Sequence, residues 1–184
     1  RAATCALAAL NSAAAESALL ARLADEELET RVAALEGLAT MTNATIAADK
    51  RVLLRSTSSD AEERAAAVFV VVGGGGREAD SAAARFARDP SERVRAATAA
   101  AAAARPGPAI DAVIASLAAD GHDLPRLAAV VATAVRGGRT GNLDRPEFGC
   151  DDRAAEVRDA ALVATAWLRG GDARVTLQRV VAAR

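Results

Sequence analysis

A chain of 184 residues with 23 basic and 24 acidic side chains has a formal net charge of −1; 52% of it is hydrophobic, yet only 2% is aromatic. The length suffices to bury a sizeable core, and that core must be assembled from Ala, Leu and Val. The even charge balance argues against a nucleic-acid binder, which shows a basic excess on one face.

Read in chain order, one pattern returns six times: Arg1-Ala2-Ala3-Thr4, Arg31-Val32-Ala33-Ala34, Arg64-Ala65-Ala66-Ala67, Arg95-Ala96-Ala97-Thr98, Arg126-Leu127-Ala128-Ala129 and Arg158-Asp159-Ala160-Ala161. Successive arginines lie 30, 33, 31, 31 and 32 residues apart. An aspartate sits six residues before four of them, as Asp25, Asp89, Asp120 and Asp152; in the remaining complete copy that place is Ser58, with Asp60 close by. A fixed period of this size marks an array of like units. Alanine is the best helix former, so each unit reads as two helices. Arginine helices are expected to start near 1, 28, 61, 90, 124 and 153. Between them, helices are expected over 12–23, 45–55, 81–88 and 109–119, and a last one over 172–183. Asp89-Pro90-Ser91-Glu92 and Asp60-Ala61-Glu62-Glu63 read as helix starts with an aspartate cap and a glutamate completing a capping box. Pro106-Gly107-Pro108 and Gly170-Gly171 read as breaks.

One unit departs from the pattern. Residues 137–151 hold three early glycines and Pro146 where a first helix belongs, and a loop or single turn is expected there. Arg139, Asp144, Arg145, Glu147 and Phe148 in this stretch, together with Trp167, are the candidate protein-binding residues, because loops carry contacts and Trp is enriched where binding energy concentrates. Val70 to Gly76 resembles a strand followed by a phosphate-binding glycine turn, but the valines continue the Arg64 helix and no second strand follows, so the glycines are expected to end a helix in an exposed turn. His122 is the only histidine, too little for a centre built from several His or Cys ligands. No catalytic, cofactor or metal residue is expected. On the inner face, Val68, Phe69, Val130, Val131, Leu162, Val163 and Trp167 offer apolar surface for a helix or extended peptide.

The strings from Asp89 to Ala97 and from Asp152 to Leu162 resemble the signature of HEAT repeats, and the short period is similar to the compact HEAT-like repeats of the phycobilisome-lyase type. The resemblance covers nearly the whole chain. It implies an all-α, right-handed α-solenoid of antiparallel helix pairs, about 31 residues each, running over 1–184 as one array truncated at both ends. It implies arginine helices lining a concave side, and Asp25, Arg31, Arg64, Asp89, Arg95, Asp120, Arg126, Asp152 and Arg158 joined as a hydrogen-bonded ladder between units. The function expected from it is a non-catalytic protein-binding scaffold or adaptor. The alternatives are a lyase or chaperone-like subunit handling a tetrapyrrole chromophore or its acceptor protein, and a regulatory domain of a larger enzyme. Expected partners are proteins or peptides, with no nucleic acid, no membrane and no cofactor. The run from Ala65 to Gly76 is too short to cross a bilayer. No leader is visible in a chain that opens on Arg1 inside a repeat, and Cys5 and Cys150 read as reduced thiols of a cytoplasmic protein. Val175, Leu177, Val180 and Val181 of the last helix have no following helix to cover them, so self-association through terminal repeats is expected.

Overall fold

A computed structural model describes residues 10, 12–41, 43–76, 78–140 and 149–169. Among the described residues the regular structure is entirely helical: α1 (Ala13–Arg22), α2 (Leu28–Thr40), α3 (Ala44–Ala47), α4 (Lys50–Arg55), α5 (Ala61–Gly73), α6 (Ala79–Phe86), α7 (Glu92–Ala102), α8 (Pro108–Ala118), α9 (Asp123–Thr140) and α10 (Ala155–Arg169). The expected first arginine helix at Arg1 and the last helix over 172–183 lie outside the described residues.

Local chemistry sets several helix starts. Ser12 Oγ accepts from the Ala15 N–H, and Asn43 Oδ1 accepts from the N–H groups of Thr45 and Ile46. Asp60 Oδ1 accepts from Glu62 and Glu63, satisfying two donors that the first turn leaves open. Pro108 opens α8, where a missing N–H costs nothing. Two expected capping boxes do not form. Asp89 lies outside α7, whose cap position is Ser91 without a side-chain bond; the Asp89 carboxylate instead accepts from the Ser91 N–H and faces Arg64. Asp60 does cap α5, but the Glu63 carboxylate turns away to other partners. The single helix expected over 45–55 is two, because Asp49 captures the Arg51 N–H and starts a new helix.

The arginine helices α2, α5, α7, α9 and α10 pack each upon the next, and α1, α3, α4, α6 and α8 pack against the arginine helix that follows them. Leu19, Leu23, Leu35, Leu38, Ile46, Ile110 and Leu117 are fully buried, each contributing about 1.5–3 kcal/mol of transfer free energy. Between successive arginine helices the contacts are small: Ala33 and Ala34, Ala66 and Ala67, Ala97 and Ala99, Ala129 and Ala132 are all buried. Small side chains let helix backbones come close, which explains how a chain with so few aromatics closes a core.

Residues 137–140, expected in a loop, are helical. Helix α9 continues to Thr140 through two glycines, a cost of about 1 kcal/mol each against Ala. Its end is tied down from outside: the Arg136 guanidinium donates to the Arg105 and Ala102 carbonyls and pairs with Asp111 of α8. Residues 141–148 lie outside the described residues.

The glycines end α5 as expected, and the turn they form is only partly exposed: Gly74 and Gly75 are half-buried and Gly76 is exposed. Gly73 ends the helix, Gly74 follows at φ −67, and Gly75 and Gly76 take φ of 78 and 92, which only glycine adopts readily. A Cβ on Gly74 would lie 2.7 Å from Val70 O, 2.8 Å from Ala47 Cβ and 2.9 Å from Asn43 O, whereas a Cβ on Gly73 would meet nothing within 4 Å. The two neighbours therefore respond oppositely to alanine. Gly73→Ala is expected to raise stability by about 0.5–1 kcal/mol, and Gly74→Ala to lower it by about 1–3 kcal/mol. Urea unfolding of the two variants checks both signs.

Candidate functional site

The arginines and acids picked out by the period meet between units. Arg64 Nε and Nη2 donate to the two carboxylate oxygens of Asp89, each at 2.9 Å. Arg95 does the same to Asp120 at 2.7 and 2.9 Å, and Arg126 to Asp152 at 2.7 and 2.8 Å. The third nitrogen, Nη1, points back: in Arg31, Arg64, Arg95, Arg126 and Arg158 it donates to the carbonyl six residues earlier, that of Asp25, Ser58, Asp89, Asp120 and Asp152. The guanidiniums of Arg31, Arg64, Arg95 and Arg126 thus clamp both the turn before their own helix and a carboxylate of the next unit. The aspartates are oriented for this by their own turns. Asp25, Asp89, Asp120 and Asp152 each accept the N–H two residues on, from Glu27, Ser91, His122 and Ala154. His122, exposed as expected, also lies 3.0 Å from Arg95 Nη2 through its Nδ1.

One rung is built from a residue that the period does not pick out. No aspartate stands at position 58, and Arg31 pairs instead with Glu63, the residue just before Arg64, at 2.7 Å. Glu63 is 1% exposed and also accepts from Ser58 Oγ at 2.5 Å and from Arg55 at 3.4 Å. Ser58 therefore serves the ladder as a donor to the acid, not as a substitute for it. The sequence signal was a charged residue where other copies carry Thr30, Val94, Pro125 and Val157. A second, shorter ladder runs at the other end of the arginine helices, where Arg105 pairs with Asp80 at 2.7 Å and Arg136 with Asp111. Arg105 and Arg136 are 31 apart, as are Asp80 and Asp111, so this ladder was visible in the same period.

The ladder chemistry is structural. Burial pushes Glu63 and Asp89 up, but the hydrogen bonds from Arg31 and Ser58, and from Arg64 and the Ser91 N–H, outweigh it and leave both carboxyls below their ordinary range. For Asp120 and Asp152 the hydrogen bonds from Arg95 and Arg126 are the largest influence and lower them directly. These four carboxyls are therefore held in their charged form at neutral pH.

The surface that these clamps align is an exposed stripe on the arginine helices. In all five, the residues two before and five after the arginine are exposed: Glu29 and Glu36 on α2, Glu62 and Phe69 on α5, Arg93 and Ala100 on α7, Leu124 and Val131 on α9, Glu156 and Val163 on α10. Seven residues are two turns less about 20°, so each pair shares a face. Val135 and Trp167 extend it by one turn, with Trp167 64% and Val163 59% exposed. Of the apolar residues expected here, Val68 and Val130 are buried instead, because they face the packed neighbours, and Leu162 is half-buried. Arg139 stands in the last turn of α9 rather than in a loop; Asp144, Arg145, Glu147 and Phe148 lie outside the described residues.

A cleft of about 730 Å³ between α3, α4, α5 and α6 is lined by Ala47, Leu53, Val71, Ala82 and Arg85 among others. Its hydroxyls on Ser56, Thr57 and Ser81 donate to carbonyls of their own turns, so they do not converge on a ligand. Among the described residues no group of His, Cys, Asp and Glu is arranged to hold a metal, and no helix is long and apolar enough to cross a membrane. No protein-family model matches this chain, and no curated protein matches it.

The depressed carboxyls fix how stability responds to acid. Each contributes stability present above its unfolded pKa, about 4, and lost as pH falls through the lower folded value. The urea midpoint is expected to hold steady from pH 7 to about 5 and to fall below about 4, with a shallower fall in Asp120→Asn, which lacks one such group. A decline already under way between pH 7 and 5 would contradict this.

Proposed function

We propose that the chain is a HEAT-like solenoid that serves as a non-catalytic, protein-binding scaffold, with the exposed stripe of the arginine helices as its docking face. The observation that carries this is the distribution of large apolar side chains. Leu124, Val131, Val135, Val163 and Trp167 stand exposed on one face of two adjoining helices, and a contiguous apolar patch in water marks an interaction site. The solenoid reading is supported by the 31-residue period, by arginine helices packed in sequence and by rungs that repeat in register. In such an array each unit contacts its neighbours alone, and small rotations between units add up to a curved surface. The regular recurrence of the Arg–Asp pairs favours a scaffold over an enzyme, because a catalytic site is a single place.

Two measurements test it. A compact globule of this length has a radius of gyration of about 16 Å; small-angle scattering is expected to give a clearly larger value. Affinity capture from a native lysate is expected to retain a protein partner with the unaltered chain and with Arg145→Ala/Phe148→Ala, and to lose it with Val131→Asp/Val163→Asp at unchanged helicity. Retention by the last variant would move the site off this face.

A further inference from the structure

The exposed stripe changes character along the array. On α2 and α5 it presents Glu29, Glu36 and Glu62, with Phe69 as the one apolar residue of that end; on α7 Arg93 and Ala100; on α9 and α10 Leu124, Val131, Val135, Val163 and Trp167, with Glu156 at their edge. Glu29, Glu36, Glu62 and Glu156 make no ion pair within the described residues. This separates them from the acids of the ladder, each of which is held by an arginine. Four glutamates against one arginine give the face a net negative charge, concentrated at the end opposite the apolar patch.

We infer that this face is a two-part dock for an extended peptide segment that carries an apolar cluster for α9 and α10 and a basic cluster for α2 and α5. The inference rests on the scaffold reading and adds the chemistry and spacing of the partner. Unpaired glutamates in water gain from a basic ligand by charge complementarity, which sets specificity and orientation, while apolar anchors supply the burial. The spacing follows from the packing. Axes of packed helices lie about 8–10 Å apart, so three steps from the α9–α10 pair to the α2–α5 pair span about 27 Å. An extended chain covers about 3.3 Å per residue, which places the basic cluster about eight residues from the apolar one. A helical segment, at about 1.5 Å per residue, would need about eighteen residues for the same reach, so an extended segment is the more economical fit.

Trp167 supplies the readout, since it is the single tryptophan of the chain and stands in the apolar half. The probe is a dye-labelled synthetic peptide with a Leu-Leu-Phe cluster, a Gly/Ser spacer of about eight residues and a Lys-Arg-Lys cluster. Two companions replace the basic cluster by Glu-Asp-Glu or cut the spacer to two residues. The basic peptide is expected to blue-shift Trp167 emission and to bind about tenfold more tightly than the acidic one at low salt, an advantage that fades near 0.5 M salt. The short-spacer peptide is expected to lose most of that advantage. In Glu29→Lys/Glu36→Lys/Glu62→Lys, whose substitutions are all on the surface, the order of the basic and acidic peptides is expected to reverse. Equal binding of the basic and acidic peptides overturns the inference; if lysate capture still depends on Val131 and Val163, the scaffold reading survives that result. A Trp167 shift produced by raising the protein concentration alone assigns the patch to a second copy of the chain, and one produced only by anionic vesicles assigns it to a lipid surface. Either result overturns the inference as well, as does the lack of a shift with every peptide.

Discussion

Everything in this molecule hangs on a guanidinium that is almost out of water and must be paired. Arg126 is 5% exposed and binds the Asp152 carboxylate with two parallel hydrogen bonds while its third nitrogen holds the Asp120 carbonyl. Two bonds in one plane fix distance, tilt and rotation together, which a single lysine contact does not. Because the carboxylate belongs to the next unit, each clamp sets the register of one arginine helix on another. Because the carbonyl belongs to the preceding turn, the same clamp also fixes where that helix begins. The alanines between helices cannot do this: a smooth apolar contact of small side chains favours closeness but specifies position weakly. The division of labour is therefore plain, with burial supplying most of the free energy and the buried ion pairs supplying the geometry, in keeping with the modest net worth of such pairs.

The rung between Arg31 and Glu63 shows that the constraint lies in the chemistry and not in the spacing. Where the period offers Ser58, the acid comes from Glu63, five residues further on, with a longer side chain that reaches the same arginine fork and keeps Ser58 as a donor. Arg31 binds it less evenly, at 2.7 and 3.5 Å. A buried arginine recruits whichever carboxylate the fold brings near, since leaving it unpaired is the costlier outcome. The short ladder of Arg105 and Arg136 obeys the same logic at the far end of the helices, and it stops at Gly74, which occupies the equivalent place on α5 and packs against Asn43 and Ala47 instead.

What could be read from the chain follows from this. The arginines with Asp89, Asp120 and Asp152 were legible because both partners recur in register, and the helix order was legible because alanine-rich segments alternate with turn residues. Glu63 was not, since its signal is a charge at a position that is otherwise uncharged, a contrast seen only after the copies are aligned. The break between α3 and α4 depends on one side chain, Asp49, choosing a backbone N–H two residues away, and such choices are nearly degenerate in sequence. The run of α9 past 137 depends on Arg136 reaching partners 25 and 31 residues back, a tertiary tie that overrides glycine propensity. On the exposed stripe, Trp167, Val131 and Val163 were expected as part of an apolar inner face that also took in Val68 and Val130. Separating them from the buried Val68 and Val130 needed the helix phase, and the acidic half, Glu29, Glu36 and Glu62, was passed over because surface glutamates are common.

Clamps that set register are cooperative and specific, not a coincidence of neighbouring charges. A double-mutant cycle on Arg95 and Asp120, with unfolding followed in urea for Arg95→Ala, Asp120→Ala and the pair, tests this most directly. Each single change is expected to cost about 3 kcal/mol by stranding a buried group, and the double change well under the sum, giving a coupling of about 2 kcal/mol. Additive losses, with the double variant as unstable as the two singles combined, would contradict it.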